Sequence, residues 1–255
     1  MSKISFFDFS CILLYNISVS TLYIVGTPIG NLGDITFRAV ETFKSVDVVA
    51  AEDTRHTLQL LNHLQIKKPL VSCRSQNEEQ ASEKIIKMLD EGQTVAYASD
   101  AGTPGISDPG AILAGLARRA GHTVVPIPGA SAFASLVSIA GAGGKTLVFE
   151  GFLSPKPGRR RSRLKELMAM DAAIVLYESP FRIVKLLADI ADIDSERRVV
   201  VGRELTKLHE EIVEGNAAEV CQNFSERAKI QGEFAVFISK FSSKNPKDFE
   251  EDADN

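Results

Sequence analysis

SDAGTPGISDPG, residues 99–110, follows the apolar run TVAYA at 94–98 without a break, and the pairing of the two decides the fold class. A short continuous apolar run reads as a strand buried on both faces, and the glycine- and proline-rich segment after it as its terminal turn. Glycine permits positive φ and close approach of backbone amides, proline narrows the alternatives of the turn, and Asp100 adds a carboxylate able to accept from an amine or hydroxyl. The same plan occurs earlier, where TLYIVG at 21–26 leads into GTPIGNLGD at 26–34. Either turn alone is also compatible with a plain connector. Two of them in one sheet can present convergent amides and carbonyls at strand ends, where open α/β sheets hold ligands. Neither turn satisfies G-x-G-x-x-G or the P-loop pattern, so neither a dinucleotide site nor a P-loop follows.

Working outward, DVVAAE at 47–52 and HTVVPIP at 122–128 read as further strands. Helices are predicted after Asp34 as cap, through Ile35, Ala39, Val40 and Phe43, and after Thr54 as cap, with Leu58, Leu61 and Leu64 facing the core and Pro69 ending the loop that follows. Further helices are predicted over 77–90, with Gly92 breaking the pattern, and over 111–119 and 130–139. This alternation predicts a mostly parallel sheet covered by helices. Gly141, Gly143 and Gly144 suggest a domain boundary near 140–145. Beyond it, strands are predicted at 146–152, 172–179, 198–204 and 233–239, with helices at 164–170, 181–190 and near 216–224. The fold class is therefore α/β in two domains: an extension at 1–20, a parallel-rich N-terminal α/β domain at 21–142, a smaller mixed α/β C-terminal domain at 143–240, and a polar acidic tail at 241–255 that reads as disordered.

The chain of 255 residues, 44% hydrophobic and 24% charged, is long enough for one large core or two modest ones. Cys11, Cys73 and Cys221 are odd in number and widely separated, which fits a reducing compartment, and four histidines with no CxxC or HxxxH spacing give no expected metal site. CILLY at 11–15 is interrupted by Asp8 and Asn16 on either side and lacks a cleavage signature after it, and no apolar segment has the length to cross a bilayer, so a cytoplasmic location and no membrane partner are expected. The net charge of −4 weighs against a surface coated for nucleic acid but is compatible with a local basic face.

The ordered segments GTPIGNLGDIT (26–36), AEDTRHT (51–57), SDAGTPGISDPG (99–110) and PGASA (128–132) resemble the bacterial small-subunit ribosomal RNA (cytidine 2'-O) methyltransferase I family of the tetrapyrrole methylase superfamily. The resemblance continues through FEGFLSPKPGRRRSRL (149–164), LYESPFRI (176–183), GRELTKLHEEIVEG (202–215) and GEF (232–234), and so covers about residues 21–240. It implies a two-domain class III methyltransferase that uses S-adenosylmethionine to methylate a cytidine ribose in the decoding region of 16S ribosomal RNA, in an assembled or assembling small subunit, as a homodimer. It also implies cofactor contacts from Pro28, Asp100, Gly102, Gly105, Ile106, Ser131 and Ala132, with Leu153 and Gly232 from the second domain. Close members of the family often carry histidines before NEEQ, whereas residues 72–80 here read SCRSQNEEQ, and Arg74 does not substitute for imidazole chemistry at neutral pH.

KPGRRRSRLK at 156–165 carries six basic side chains and no acid. Alone it fits either a solvated face or phosphate contact; with the resemblance, Lys156, Arg159, Arg160, Arg161, Arg163 and Lys165 are expected to contact RNA, joined by Arg182. Tyr177 and Phe181 fit either core packing or stacking on a flipped nucleotide. In AEDTR, Glu52 and Asp53 are candidates to orient or deprotonate the ribose hydroxyl and Arg55 to position phosphate, although capping and local ion pairing explain the same residues. Glu178, Arg203, Glu204 and Lys207 are second-domain alternatives. Two other functions share these features: C-methylation of a corrinoid or porphyrin precursor, and a noncatalytic RNA-binding role in ribosome assembly.

Overall fold

Two five-stranded sheets carry the chain in the computed structural model, which describes residues 19–141 and 144–242. Residues 1–18 of the expected extension, Ala142 and Gly143 at the expected boundary, and the expected tail from 243 onward lie outside the described residues. In the first sheet β1 (Thr21–Val25), β2 (Val48–Ala51), β3 (Leu70–Ser72), β4 (Val95–Ala98) and β5 (Thr123–Ile127) run parallel throughout, in the order β3-β2-β4-β1-β5. Every residue of β2 and β4 is buried, the state their unbroken apolar runs require when helices cover both faces. Alternate residues go to opposite faces. Leu22, Val48, Ala50, Val95 and Tyr97 form one core with residues of α3 (Glu78–Asp90) and α4 (Ala111–Arg119), and Val25, Val49, Ala96 and Ala98 another with residues of α1 (Phe37–Ser45) and α2 (Thr54–His63). Pro126 is accommodated because β5 lies at the sheet edge.

The second sheet has the order β6-β7-β10-β8-β9, formed by β6 (Leu147–Phe152), β7 (Ala173–Glu178), β8 (Arg197–Arg203), β9 (Glu211–Asn216) and β10 (Phe234–Ser242). Only β6 and β7 pair in parallel. One face is covered by α6 (Pro157–Met168), α7 (Ile183–Ile193) and α8 (Ala217–Ser225). The other face receives α5 (Ala132–Ile139), whose Leu136 packs with Ala173, Val175, Val200, Ala235 and Phe237. Although α5 follows β5 in the chain, its apolar side belongs to the second core, and it fastens the two sheets together.

The structure departs from the sequence reading at several local points. Strands β3 and β9 are additional. Thr36, not Asp34, caps α1 by accepting from the Ala39 N–H at 3.1 Å, because Asp34 lies within a preceding short 3-10 turn. Asp53, one residue before Thr54, caps α2. Leu58 is 46% exposed because the buried stripe of α2 runs through Thr57 and Leu61. The helix expected at 164–170 begins earlier and takes in most of the basic run: Pro157 opens α6, where its missing N–H is harmless.

Candidate active site

Three loops meet backbone to backbone at the carboxyl ends of β1, β4 and β5. The Thr27 N–H donates to the Gly102 carbonyl at 2.9 Å and the Gly102 N–H returns to the Thr27 carbonyl at 3.1 Å. The Thr103 hydroxyl donates to the Ala130 carbonyl at 3.2 Å. Gly26 and Gly129 lie so close that a Cβ on Gly26 would sit 2.7 Å from the Gly129 nitrogen, and one on Gly129 2.7 Å from the Gly26 carbonyl group. Only glycine at both positions allows this approach. Gly102 adopts φ +75°, which turns the chain under Ile29 at little cost for glycine. The far end of the 99–110 loop is held by Glu78 of NEEQ, whose Oε1 accepts from the Gly110 N–H at 2.8 Å and the Ile112 N–H at 3.1 Å, the start of α4. This buried carboxylate escaped sequence reasoning because it caps a helix more than thirty residues away.

A cavity of about 370 Å³ lies between these loops and the second sheet. Gly102, Ile106, Asp108, Ser131 and Ala132 line it on one side, and Phe152, Tyr177, Glu178, Leu205, Lys207 and Phe234 on the other. The Tyr177 hydroxyl accepts from the Phe133 N–H at 2.8 Å, tying β7 to the first turn of α5, while its ring meets Phe149 and Phe152 edge on. A second cavity of about 320 Å³ adjoins the first, lined by Pro28, Gly30, Leu32, His56, Gln59 and Asp100. Lys207 and Glu233 line both. The Lys207 ammonium contacts Glu204 at 2.9 Å and Glu233 at 2.8 Å, and these carboxylates outweigh burial and raise its pKa, so it is a cation at neutral pH.

The carboxylates at the strand ends have different environments. Asp53 and Asp100 are laced together: the Asp53 N–H donates to Asp100 Oδ1 at 2.9 Å, and the Asp100 N–H donates to Glu52 Oε2 at 3.2 Å. Hydrogen bonds from the Arg55 side chain and backbone hold the Asp53 carboxyl far below its ordinary range. Asp53 and Arg55 therefore form a helix cap and its ion pair, and Asp53 is a weak proton acceptor. Burial pushes the Glu52 carboxyl up, aided by the charges of Asp100, Asp108 and Asp53. Burial also pushes Asp108 up, with Asp100 and Glu233 adding to the shift. Asp108 stands in the cavity wall, and sequence reasoning passed over it within the turn.

Of the residues expected to hold cofactor, Gly102, Ile106, Ser131 and Ala132 line the larger cavity and Pro28 and Asp100 the adjoining one. Gly105, Leu153 and Gly232 line neither. Gly105 shapes the loop, Leu153 is buried in the second core, and Gly232 packs against the Glu204 side chain. The residues expected to face RNA have different surroundings. Arg160 is buried, with its Nε 2.6 Å from Asp189; Arg161 pairs with Asp189 and Asp192; Arg163 pairs with Glu150 at 2.8 Å and Glu166 at 3.0 Å. Arg182 donates to the Leu153 carbonyl at 3.2 Å and pairs with Glu178 at 2.6 Å. These four guanidinium groups are paired with carboxylates of the same domain, Arg160 in the interior and Arg161 and Arg163 at the surface, whereas Lys156, Arg159 and Lys165 are exposed with no acidic partner among the described residues. Tyr177 faces the cavity, and Phe181 is 88% exposed. Arg203 is taken up by the Gln231 carbonyl and Glu211.

Strand-end loops of a parallel sheet that face a mixed sheet across one cavity define the two-domain class III methyltransferase architecture. Residues 21–221 match the family described as tetrapyrrole (corrin/porphyrin) methylases, and the chain belongs to that family. It is 45% identical over 223 residues to a protein of Borrelia garinii named ribosomal RNA small subunit methyltransferase I, covering 87% of this chain and all of that one. A Thermotoga maritima protein of the same name is 46% identical over 86% of this chain and 97% of its own. Among solved structures, a cobalt precorrin-4 methyltransferase superposes with a TM-score of 0.63 at 18% identity, over 86% of this chain and 94% of that one, a likeness of fold. The expected family and fold class are borne out. No helix among the described residues is long and apolar enough to cross a membrane.

Proposed function

We propose that this chain is an S-adenosylmethionine-dependent 2'-O-methyltransferase acting on a cytidine ribose in the decoding region of small-subunit (16S) ribosomal RNA, as a cytoplasmic homodimer. The relatives' shared name supports the substrate class. The observation that carries the reading is convergence: the family-like segments 26–30, 99–108, 128–132, 177–180 and 202–207, scattered through the sequence, surround two adjoining cavities.

The residues suit this cofactor. Asp108 favours a cationic ligand, Phe152 and Tyr177 offer aromatic surface to a nucleoside, and the Gly102 turn admits close backbone approach. When bound, the cofactor supplies an activated methyl group on a sulfonium. The chain then has to orient the acceptor and exclude water, which is a large share of a transfer barrier. The adjoining cavity, with Pro28, His56 and Asp100 in its wall, receives the ribose. Lys207, at the junction of the two, sets a fixed cation that favours loss of the proton from a ribose hydroxyl beside it, and Glu52, whose Oε2 accepts from the Asp100 N–H, is the candidate to take that proton. Asp53 and Arg55 hold the start of α2 in place for this. Lys156 at the N-cap of α6 and Arg159 and Lys165 on the helix draw in phosphate.

Purified protein given isotope-labelled cofactor, with free rRNA and immature small subunits side by side, tests the proposal by nucleoside analysis of the product. Label in 2'-O-methylcytidine is expected. Label on a base, or on a tetrapyrrole and never on ribose, contradicts it, and RNA binding without cofactor binding favours an assembly factor.

A further inference from the structure

Phe181 stands between the apolar strand β7 and the apolar helix α7, a place where a phenylalanine would be expected to join the core, yet it is 88% exposed. Its turn is firmly held. The Ser179 carbonyl accepts from the Arg182 and Ile183 N–H groups at 3.1 Å each, and the Arg182 side chain is fixed by Glu178 at 2.6 Å and the Leu153 carbonyl at 3.2 Å. Among the described residues Phe181 enters no ring contact, whereas Tyr177, four residues earlier, meets both Phe149 and Phe152. A single exposed aromatic residue is ordinary on a protein surface. The surroundings of this one are not. Pro180 before it lines the larger cavity. Arg182 after it brings the turn beside Leu153, and Phe152, one residue before that, lies in the same cavity wall and is 57% exposed. Just past Leu153 come Lys156 and Arg159, exposed and without acidic partners among the described residues. Aromatic surface held on a cavity rim thus adjoins uncompensated positive charge.

We infer that Phe181 is a stacking platform for an unpaired base flanking the methylated nucleotide, with Lys156 and Arg159 taking phosphates of the same RNA segment, a role that rests on the reading of the substrate as RNA. Exposed rings beside free cations are the combination that holds single-stranded nucleic acid: the cations follow the backbone and the rings stack on base faces. The base has to be unpaired, because in a duplex both of its faces are already covered by neighbours. It is a neighbour of the target and not the target itself, since the target ribose belongs to the adjoining cavity of Pro28, His56 and Asp100, whereas Phe181 follows Pro180 at the rim of the larger one. Charge selects RNA over a second copy of this chain as the occupant. A two-fold contact through this face would bring Lys156 and Arg159 of both copies together, whereas phosphates neutralise them. Stacking reads a π-face, which every base has, so no base preference is expected at this position.

The chain contains no tryptophan, so Phe181→Trp sets a single indole at the site. Titration of this full-length variant with a single-stranded fragment of the 16S decoding region is expected to quench the indole emission in step with binding. Phe181→Ala is expected to bind the fragment and immature small subunits about 10-fold more weakly than the wild type. Its slope of log affinity against log salt, its melting temperature and its binding of S-adenosylhomocysteine are expected to stay as in the wild type. Phe181→Leu, apolar but without a π-face, is expected to behave as Phe181→Ala does. RNA binding by Phe181→Trp without quenching overturns the inference and leaves the RNA reading standing, and so does wild-type affinity in Phe181→Ala or Phe181→Leu. Weaker self-association of Phe181→Ala in sedimentation without RNA assigns the ring to a contact between copies and also overturns it. Binding of neither the fragment nor the subunits by the wild type overturns the RNA reading itself and the inference with it.

Discussion

On the parallel-sheet side the loops that line the cavity are braced backbone to backbone, by the Thr27–Gly102 bridge and the Gly26–Gly129 contact behind them, whereas the mixed-sheet side contributes Phe152, Tyr177, Lys207 and Phe234. The two walls do different work. A backbone wall is specified by what must be missing, a Cβ, and it tolerates little change because each loop is braced by the next. A side-chain wall is specified by chemistry presented from strand ends. It can be altered one group at a time with the fold intact, and discrimination between ligands belongs to it.

The comparison breaks most readily at Gly129. In Gly129→Ala the new Cβ meets backbone that cannot move independently, and overpacking of this kind costs about 1–3 kcal/mol. A lowered melting temperature and at least about tenfold weaker cofactor binding are expected in melting and titration experiments; unchanged values of both contradict the backbone account. Tyr177→Phe probes the other wall. It leaves the Phe133 N–H without its acceptor at the start of α5, for a loss of about 1 kcal/mol in denaturant unfolding, with the aromatic surface preserved.

Asp108→Asn separates stability from binding. Burial raises this carboxyl's pKa in the folded state, so folding favours its protonated form. That favourable contribution is present in acid and is lost as pH rises from the ordinary aspartate range through the raised folded value. Removing the charge is therefore expected to raise the melting temperature near neutral pH, to change it little in strong acid, and to weaken binding of the cationic cofactor. A neutral-pH destabilisation with unchanged binding would count against the acidic-wall reading. The smallest effect is expected on α6. Removing Lys156, Arg159 or Lys165 singly should lower the slope of log affinity for RNA against log salt by about 1 each, while Arg163→Ala, already paired with Glu150 and Glu166, leaves the slope unchanged.

The contrast between the walls also explains what could be read in advance. TLYIV and TVAYA announce strands buried on both faces, and the glycine turns after them fall where such sheets bind ligands. Strand β9 went unread because EIVEGN has only two large apolar residues and pairs at a sheet edge. Helix α6 was obscured because Arg160 occupies a place in its buried stripe with Leu164, Leu167 and Met168, and its partner Asp189 lies on another helix. Charge in a sequence does not reveal its counter-charge, so the ten-residue basic run looked like a free surface when three of its six cations are paired within the domain. Glu78 and Asp108 share that difficulty, since their roles depend on contacts with residues distant in the chain. The reacting groups came from family resemblance rather than from any pattern of spacing.

The most direct test of the account is a crystal structure of the full chain with S-adenosylhomocysteine. The ligand is expected to span both walls, its contacts to Gly102 and Ser131 made largely through backbone and those to Phe152, Tyr177 and Phe234 through side chains. Density for the ligand outside this cavity, or against one wall alone, would contradict the account.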